Sequence, residues 1–122
     1  MSDRLCLIID DEPSIRSYVC AVLHGDHIQT VEADTAAEGI RIVHTLHGHL
    51  ACIVSDINMP GDMNGVDLAH SVRNSYPGVP VILISGYGAE ASNMNGFQVI
   101  RKPFLPEAIL DAVRQALTQQ EI

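Results

Sequence analysis

The chain has 122 residues, enough for one core, with 47% hydrophobic residues but only 4% aromatic ones and no Trp, so that core must be aliphatic. Seven basic against fifteen acidic residues leave a formal net charge of −8, which speaks against a nucleic-acid binder and in favour of cations or basic partners. No apolar run approaches the ~18 residues that span a bilayer, and the start Met1-Ser2-Asp3-Arg4 has none of the parts of a signal peptide, so a cytoplasmic protein without a membrane partner is expected.

In chain order, Leu5–Ile9 is an unbroken apolar run, the pattern of a strand covered on both faces in a parallel sheet. It leads into Asp10-Asp11-Glu12, and Pro13 then suits the first turn of a helix with Ile15, Val19, Val22 and Leu23 on one side. Residues 28–33 mix polar and apolar types, which fits an edge strand. Thr35 and Glu38 form a capping box for a helix presenting Ala36, Ile40, Val43 and Leu46 or His47. Residues 51–55 are a third strand and lead to Asp56. Asn64 can cap a helix with Leu68, Ala69 and Val72 inward.

Residues 79–85 are a fourth strand ending at Ser85. The stretch 86–97 that follows holds three Gly, two Asn and one Ser, poor helix material that allows one or two turns at 89–94. A short or disordered fourth helix is expected there. Residues 98–101 are the last strand, Lys102-Pro103 follows, and Pro106 opens a helix with Ile109, Val113, Ala116 and Leu117 inward. Strands alternating with helices at this spacing predict one α/β domain over 1–122, a doubly wound parallel sheet with helices on both faces. Cys6, Cys20 and Cys52, odd in number and set in apolar runs, read as buried reduced thiols.

In an open parallel sheet, sites form beyond the carboxyl ends of the strands. Those ends carry Asp10, Asp11 and Glu12, then Asp56, Ser85 and Lys102. Singly, each has an ordinary reading as a solvated turn, a turn starter or a surface lysine; their joint placement singles them out. Clustered carboxylates repel unless a cation joins them, and hard oxygens suit Mg²⁺, which leaves room for a phosphoryl oxygen. An Asp can be a nucleophile toward phosphorus, with Lys102 neutralising charge and Ser85 donating a hydrogen bond.

The segments Ile8-Ile9-Asp10-Asp11-Glu12-Pro13, Val54-Ser55-Asp56-Ile57-Asn58-Met59-Pro60-Gly61, Met63-Asn64-Gly65, Ile82-Leu83-Ile84-Ser85-Gly86-Tyr87 and Lys102-Pro103-Phe104 resemble the receiver domain of bacterial response regulators, CheY-like modules of two-component systems. The resemblance covers nearly the whole chain. It implies a flavodoxin-like sheet of order 2-1-3-4-5 and a phosphoacceptor role for Asp56. It also implies Mg²⁺ held by Asp10, Asp11, Asp56 and the Asn58 backbone carbonyl, with Asp10 reaching the ion through water. Ser85 is then the family's hydroxyl, Lys102 its phosphate-pairing lysine, and the Lys102–Pro103 bond is cis. A sensor histidine kinase or histidine phosphotransfer protein would be the donor and an unidentified output protein the recipient of the signal. The domain would catalyse only its own phosphorylation and slow hydrolysis, and so would not be an enzyme acting on a separate substrate. A stand-alone regulator and a receiver from a hybrid kinase fit equally.

Three positions depart from the family. Ser85 and Lys102 are 17 positions apart (102 − 85), closer than usual. Val99 stands where an aromatic switch residue is usual, and Leu105 where a helix cap is usual, the latter a loss of about 1 kcal/mol. The first two touch the family's output face, so residues 85–97 are expected to be ordered or redirected by phosphorylation, and Tyr87 to shield the phosphoryl group in part, giving an intermediate lifetime. A phosphohydrolase of the haloacid dehalogenase type would need Asp where Asn58 stands. A flavodoxin-like cofactor carrier would need a glycine-rich phosphate loop where Asp10-Asp11-Glu12 stands. A receiver-like binding module that is never phosphorylated would not need this full set of residues. Of the six histidines, His44, His47 and His49 are spaced for a conceivable transition-metal site, but scattered surface residues are the preferred reading.

Overall fold

Successive side chains of a strand point to opposite faces, and here both faces are covered. The computed structural model describes residues 5–86 and 96–120. Its strands are β1 (Leu5–Ile9), β2 (Gln29–Ala33), β3 (Leu50–Asp56), β4 (Val81–Ser85) and β5 (Gln98–Arg101). They form one parallel sheet of order β2-β1-β3-β4-β5. The helices are α1 (Pro13–His24), α2 (Ala36–Leu46), α3 (Gly65–Ser75) and α4 (Pro106–Gln120), with a 3-10 turn at His47–His49.

Cys6, Ile8, Cys52, Val54, Ile82 and Ile84 meet α1 and α4 through Val19, Leu23, Ile109 and Val113 on one face. Leu7, Ile9, Ile53 and Leu83 meet α2 and α3 through Val43, Leu68 and Val72 on the other. All seven residues of β3 are buried, while β2 and β5, at the sheet's edges, are partly exposed. The unbroken and the mixed apolar runs thus sort into central and edge strands as their patterns require. Cys6 and Cys52 are register partners whose Sγ atoms lie 2.9 Å apart, and all three cysteines are free and buried.

Local chemistry sets the element ends. Thr35 accepts the Glu38 N–H, but Glu38 reaches back to the Asp34 N–H, one residue before the partner a standard box would use. Asn64 and Asp67 form a complete reciprocal box at α3. The fourth strand begins at Val81 rather than at 79, because Pro80 has no N–H to give a ladder; its carbonyl still accepts from Ile53 at 2.9 Å. The second begins at Gln29, after His27 turns the chain with φ 63°, and the third runs one residue further at each end than its apolar pattern. Leu105 leaves its carbonyl to the Ala108 N–H and is 72% exposed. The Lys102–Pro103 bond is cis. The expected short helix at 89–94 and the roles given to Tyr87 and to 87–95 lie outside the described residues. Among the described residues no helix is long and apolar enough to cross a membrane.

Candidate active site

Strand register assembles the site. Ile9 pairs with Ser55, Asp56 with Ile84, and Ser85 with Arg101. One step along each strand therefore sets Asp10 level with Asp56, and Lys102 just beyond Ser85. The Lys102 N–H donates to the Ser85 carbonyl at 2.8 Å, and the Ile57 N–H to that of Ile84 at 2.9 Å, which locks these ends together.

Lys102 Nζ stands 3.5 Å from Asp56 Oδ1, 3.8 Å from Asp10 Oδ2 and 3.5 Å from Glu12 Oε1. Asp10, Asp11 and Asp56 each bring a carboxylate oxygen within 4.8 Å of the others, the one such grouping able to share an ion among the described residues. Asp10 and Asp56 are buried; Asp11 is exposed. Asn58 is exposed in the loop after Asp56.

Burial, then the adjacent charge of Asp10, lifts the Asp56 carboxyl to about 6 against the pull of Lys102. Burial also raises Asp10, although the Glu12 N–H bonded to its Oδ1 works the other way. Burial would lower Lys102, but Asp56, Asp10 and Glu12 outweigh it and hold the ammonium more firmly protonated. Among the described residues, two buried side-chain oxygens have no hydrogen-bond partner, Asp10 Oδ2 and Ser85 Oγ. Buried polar atoms are rarely left so; Asp10 belongs to the carboxylate group, and Ser85 ends β4, where its carbonyl accepts the Lys102 N–H. A hard divalent cation fits this donor set: it would satisfy Asp10 Oδ2 and relieve the repulsion between the carboxylates.

Glu12, which the sequence places on this edge, shares Lys102. Two further participants escaped sequence reasoning. Gly65 lies against Asp56, and its N–H donates to the Ile57 carbonyl at 2.9 Å. Arg16 Nη1 donates to the Asp10 carbonyl at 2.7 Å. Only the position of Arg16 six residues after Asp10, one turn into a helix, hinted at its reach. The histidines form no metal cluster with other ligands among the described residues. Tyr76 engages two of them: its hydroxyl pairs with His44 Nδ1 at 2.8 Å, and its ring stacks on His47 at 4.2 Å.

The sequence profile of the response regulator receiver domain matches residues 6–114. The response regulator protein FleR of Pseudomonas aeruginosa is 33% identical over 125 residues, covering 98% of this chain and 26% of FleR. The sensor kinase CckA of Brucella abortus is 28% identical over 120 residues, covering 94% of this chain and 13% of CckA. The chain thus spans only a fraction of the length of these relatives. The crystal structure of a CheY-like receiver domain protein from Methanospirillum hungatei JF-1 superposes with TM-score 0.85 at 26% identity, covering 98% of each chain. Neither the phosphohydrolase nor the unphosphorylated-module reading is favoured by these likenesses.

Proposed function

The chain belongs to the response regulator receiver domain family, and from that premise we propose that it acts as one receiver unit over 1–122 that takes its phosphoryl group onto Asp56. The observation that carries this reading is the convergence of Asp10, Asp11, Asp56, Lys102 and the unpartnered Ser85 hydroxyl at the carboxyl edge of the sheet.

An Asp56 oxygen attacks the phosphorus of a phosphohistidine on a sensor kinase or phosphotransfer protein. The P–N bond breaks, its electron pair leaves on the imidazole, and an acyl phosphate remains on Asp56. Lys102 moves from the Asp56 carboxylate to a phosphoryl oxygen, and Ser85 Oγ donates to another. Asp10, Asp11, Asp56 and the Asn58 carbonyl would hold Mg²⁺, which when bound supplies charge neutralisation on the transferring phosphoryl oxygens. Hydrolysis by water returns Asp56 to the carboxylate, so the chain is a phosphoacceptor and not a catalyst for a separate substrate. It would act in the cytoplasm on an output protein, without nucleic acid.

Incubation with Mg²⁺ and acetyl phosphate, read by intact mass, tests this. The native chain should gain one phosphoryl group and Asp56→Asn none; equal labelling, or no labelling of either, rejects the reading.

A further inference from the structure

The Asp10-Asp11-Glu12 turn carries three carboxyl groups on consecutive residues, and repulsion alone would splay it. Its shape is instead fixed at Asp10. The Asp10 N–H donates to the Ala33 carbonyl at 3.2 Å, extending the β1–β2 ladder. Asp10 Oδ1 accepts the Glu12 N–H at 2.9 Å. The remaining backbone group, the Asp10 carbonyl, accepts from Arg16 Nη1 at 2.7 Å. Each end of the Asp10 residue is thereby tied, and Oδ2, which accepts no hydrogen bond, faces Lys102 Nζ at 3.8 Å.

Arg16 is itself aimed. Its Nε donates to Glu32 Oε1 on β2 at 3.1 Å, so two sides of one planar fork meet β2 and the turn that follows β1. Its side chain is 19% exposed, against 47% for Glu32. The guanidinium stands beside the acidic turn yet binds a carbonyl there, so no oxygen of the cation-binding set is occupied by it. Lysine, with a point charge, could not span both partners in this geometry.

We propose that Arg16 is a positioning residue for the divalent-cation site. It holds the Asp10–Asp11 peptide plane through the Asp10 carbonyl, and Glu32 orients it. The inference rests on the cation reading of the site given above and adds a residue of α1 and one of β2 to it. The bland alternative is a surface ion pair with Glu32 contributing at most a little stability.

Mg²⁺ affinity by isothermal titration calorimetry, alongside thermal unfolding in EDTA, separates the two. Arg16→Gln should bind Mg²⁺ roughly tenfold more weakly than the native chain, the scale of losing an outer partner of a metal ligand. Glu32→Gln should weaken it in the same direction by less. A purely stabilising pair would lower the EDTA melting temperature and leave the affinity of the folded protein unchanged; Arg16→Gln within about twofold of native overturns the proposal. If Arg16→Gln does not fold, Glu32→Gln decides on the same criterion. Native protein that binds no Mg²⁺ overturns the cation reading itself and this inference with it, which the variants alone cannot do.

Discussion

Gly65, the first residue of α3, lies so close to Asp56 that a β-carbon on it would overlap the Asp56 carbonyl and stand 2.8 Å from Ile57 Cα. Both neighbours are backbone at the end of a fully buried strand, so neither can swing aside. Gly65→Ala should therefore destabilise the fold by about 2 kcal/mol, as overpacking does, and slow phosphorylation of Asp56. Urea unfolding and the acetyl phosphate reaction measure the two effects; a variant with native stability would show that the β3–α3 loop is free to move.

Asp56 keeps its proton up to about 6 in the fold but releases it near 4 in an unfolded chain. Between those values the folded state binds more protons, so this group's contribution to stability falls as pH rises and then levels out. At pH 7.5 without metal, the ionised group should cost on the order of 3 kcal/mol. In EDTA, Asp56→Asn should match the native chain near pH 4, become the more stable of the two through pH 6, and hold that lead above pH 7. Mg²⁺ should close most of the gap. Denaturation curves across pH give the difference directly, and a gap independent of pH would contradict the assignment.

Ser85 is fully buried with an unpartnered hydroxyl. Ser85→Ala removes an unsatisfied polar group, so the unphosphorylated protein should be as stable as the native chain or more so, by about 1 kcal/mol. If Ser85 donates to the phosphoryl oxygen as proposed, phosphorylation should slow as well. Loss of stability together with loss of labelling would mean that Ser85 serves the fold.

Burial raises the Cys20 thiol; at Cys52 the hydrogen bond with Cys6, then burial, raises it well above its ordinary range. Thiols held protonated and out of solvent are poor nucleophiles. A disulfide-exchange reagent at pH 8 should find almost no fast-reacting thiol in the native protein and three after denaturation. Rapid labelling of the native state would require the sheet to open readily.

The fold was legible because β1, β3 and β4 carry runs that no half-exposed strand would tolerate, and because Thr35, Asn64 and the prolines mark helix starts. Asp10, Asp11, Asp56, Ser85 and Lys102 were legible as a set since topology alone sends strand ends to one edge. What stayed hidden depends on distance across the sequence. Glycine at 65 is informative only once Asp56 is known to lie against it, and Arg16 only once its guanidinium is seen on the Asp10 carbonyl. The shifted partner of Glu38 and the late start of β4 at Val81 turn on single backbone N–H groups, which periodicity does not report.

The burial of β3 along its whole length, with a hydrogen-bonded neighbour on either side, sets it against opening locally. Asp56 is mounted at its tip and is only 4% exposed. Such a carboxylate cannot travel out to a donor. A phosphoryl donor of the kind proposed would have to come inward to it, as a small molecule such as acetyl phosphate or as a slender, protruding phosphorylated side chain.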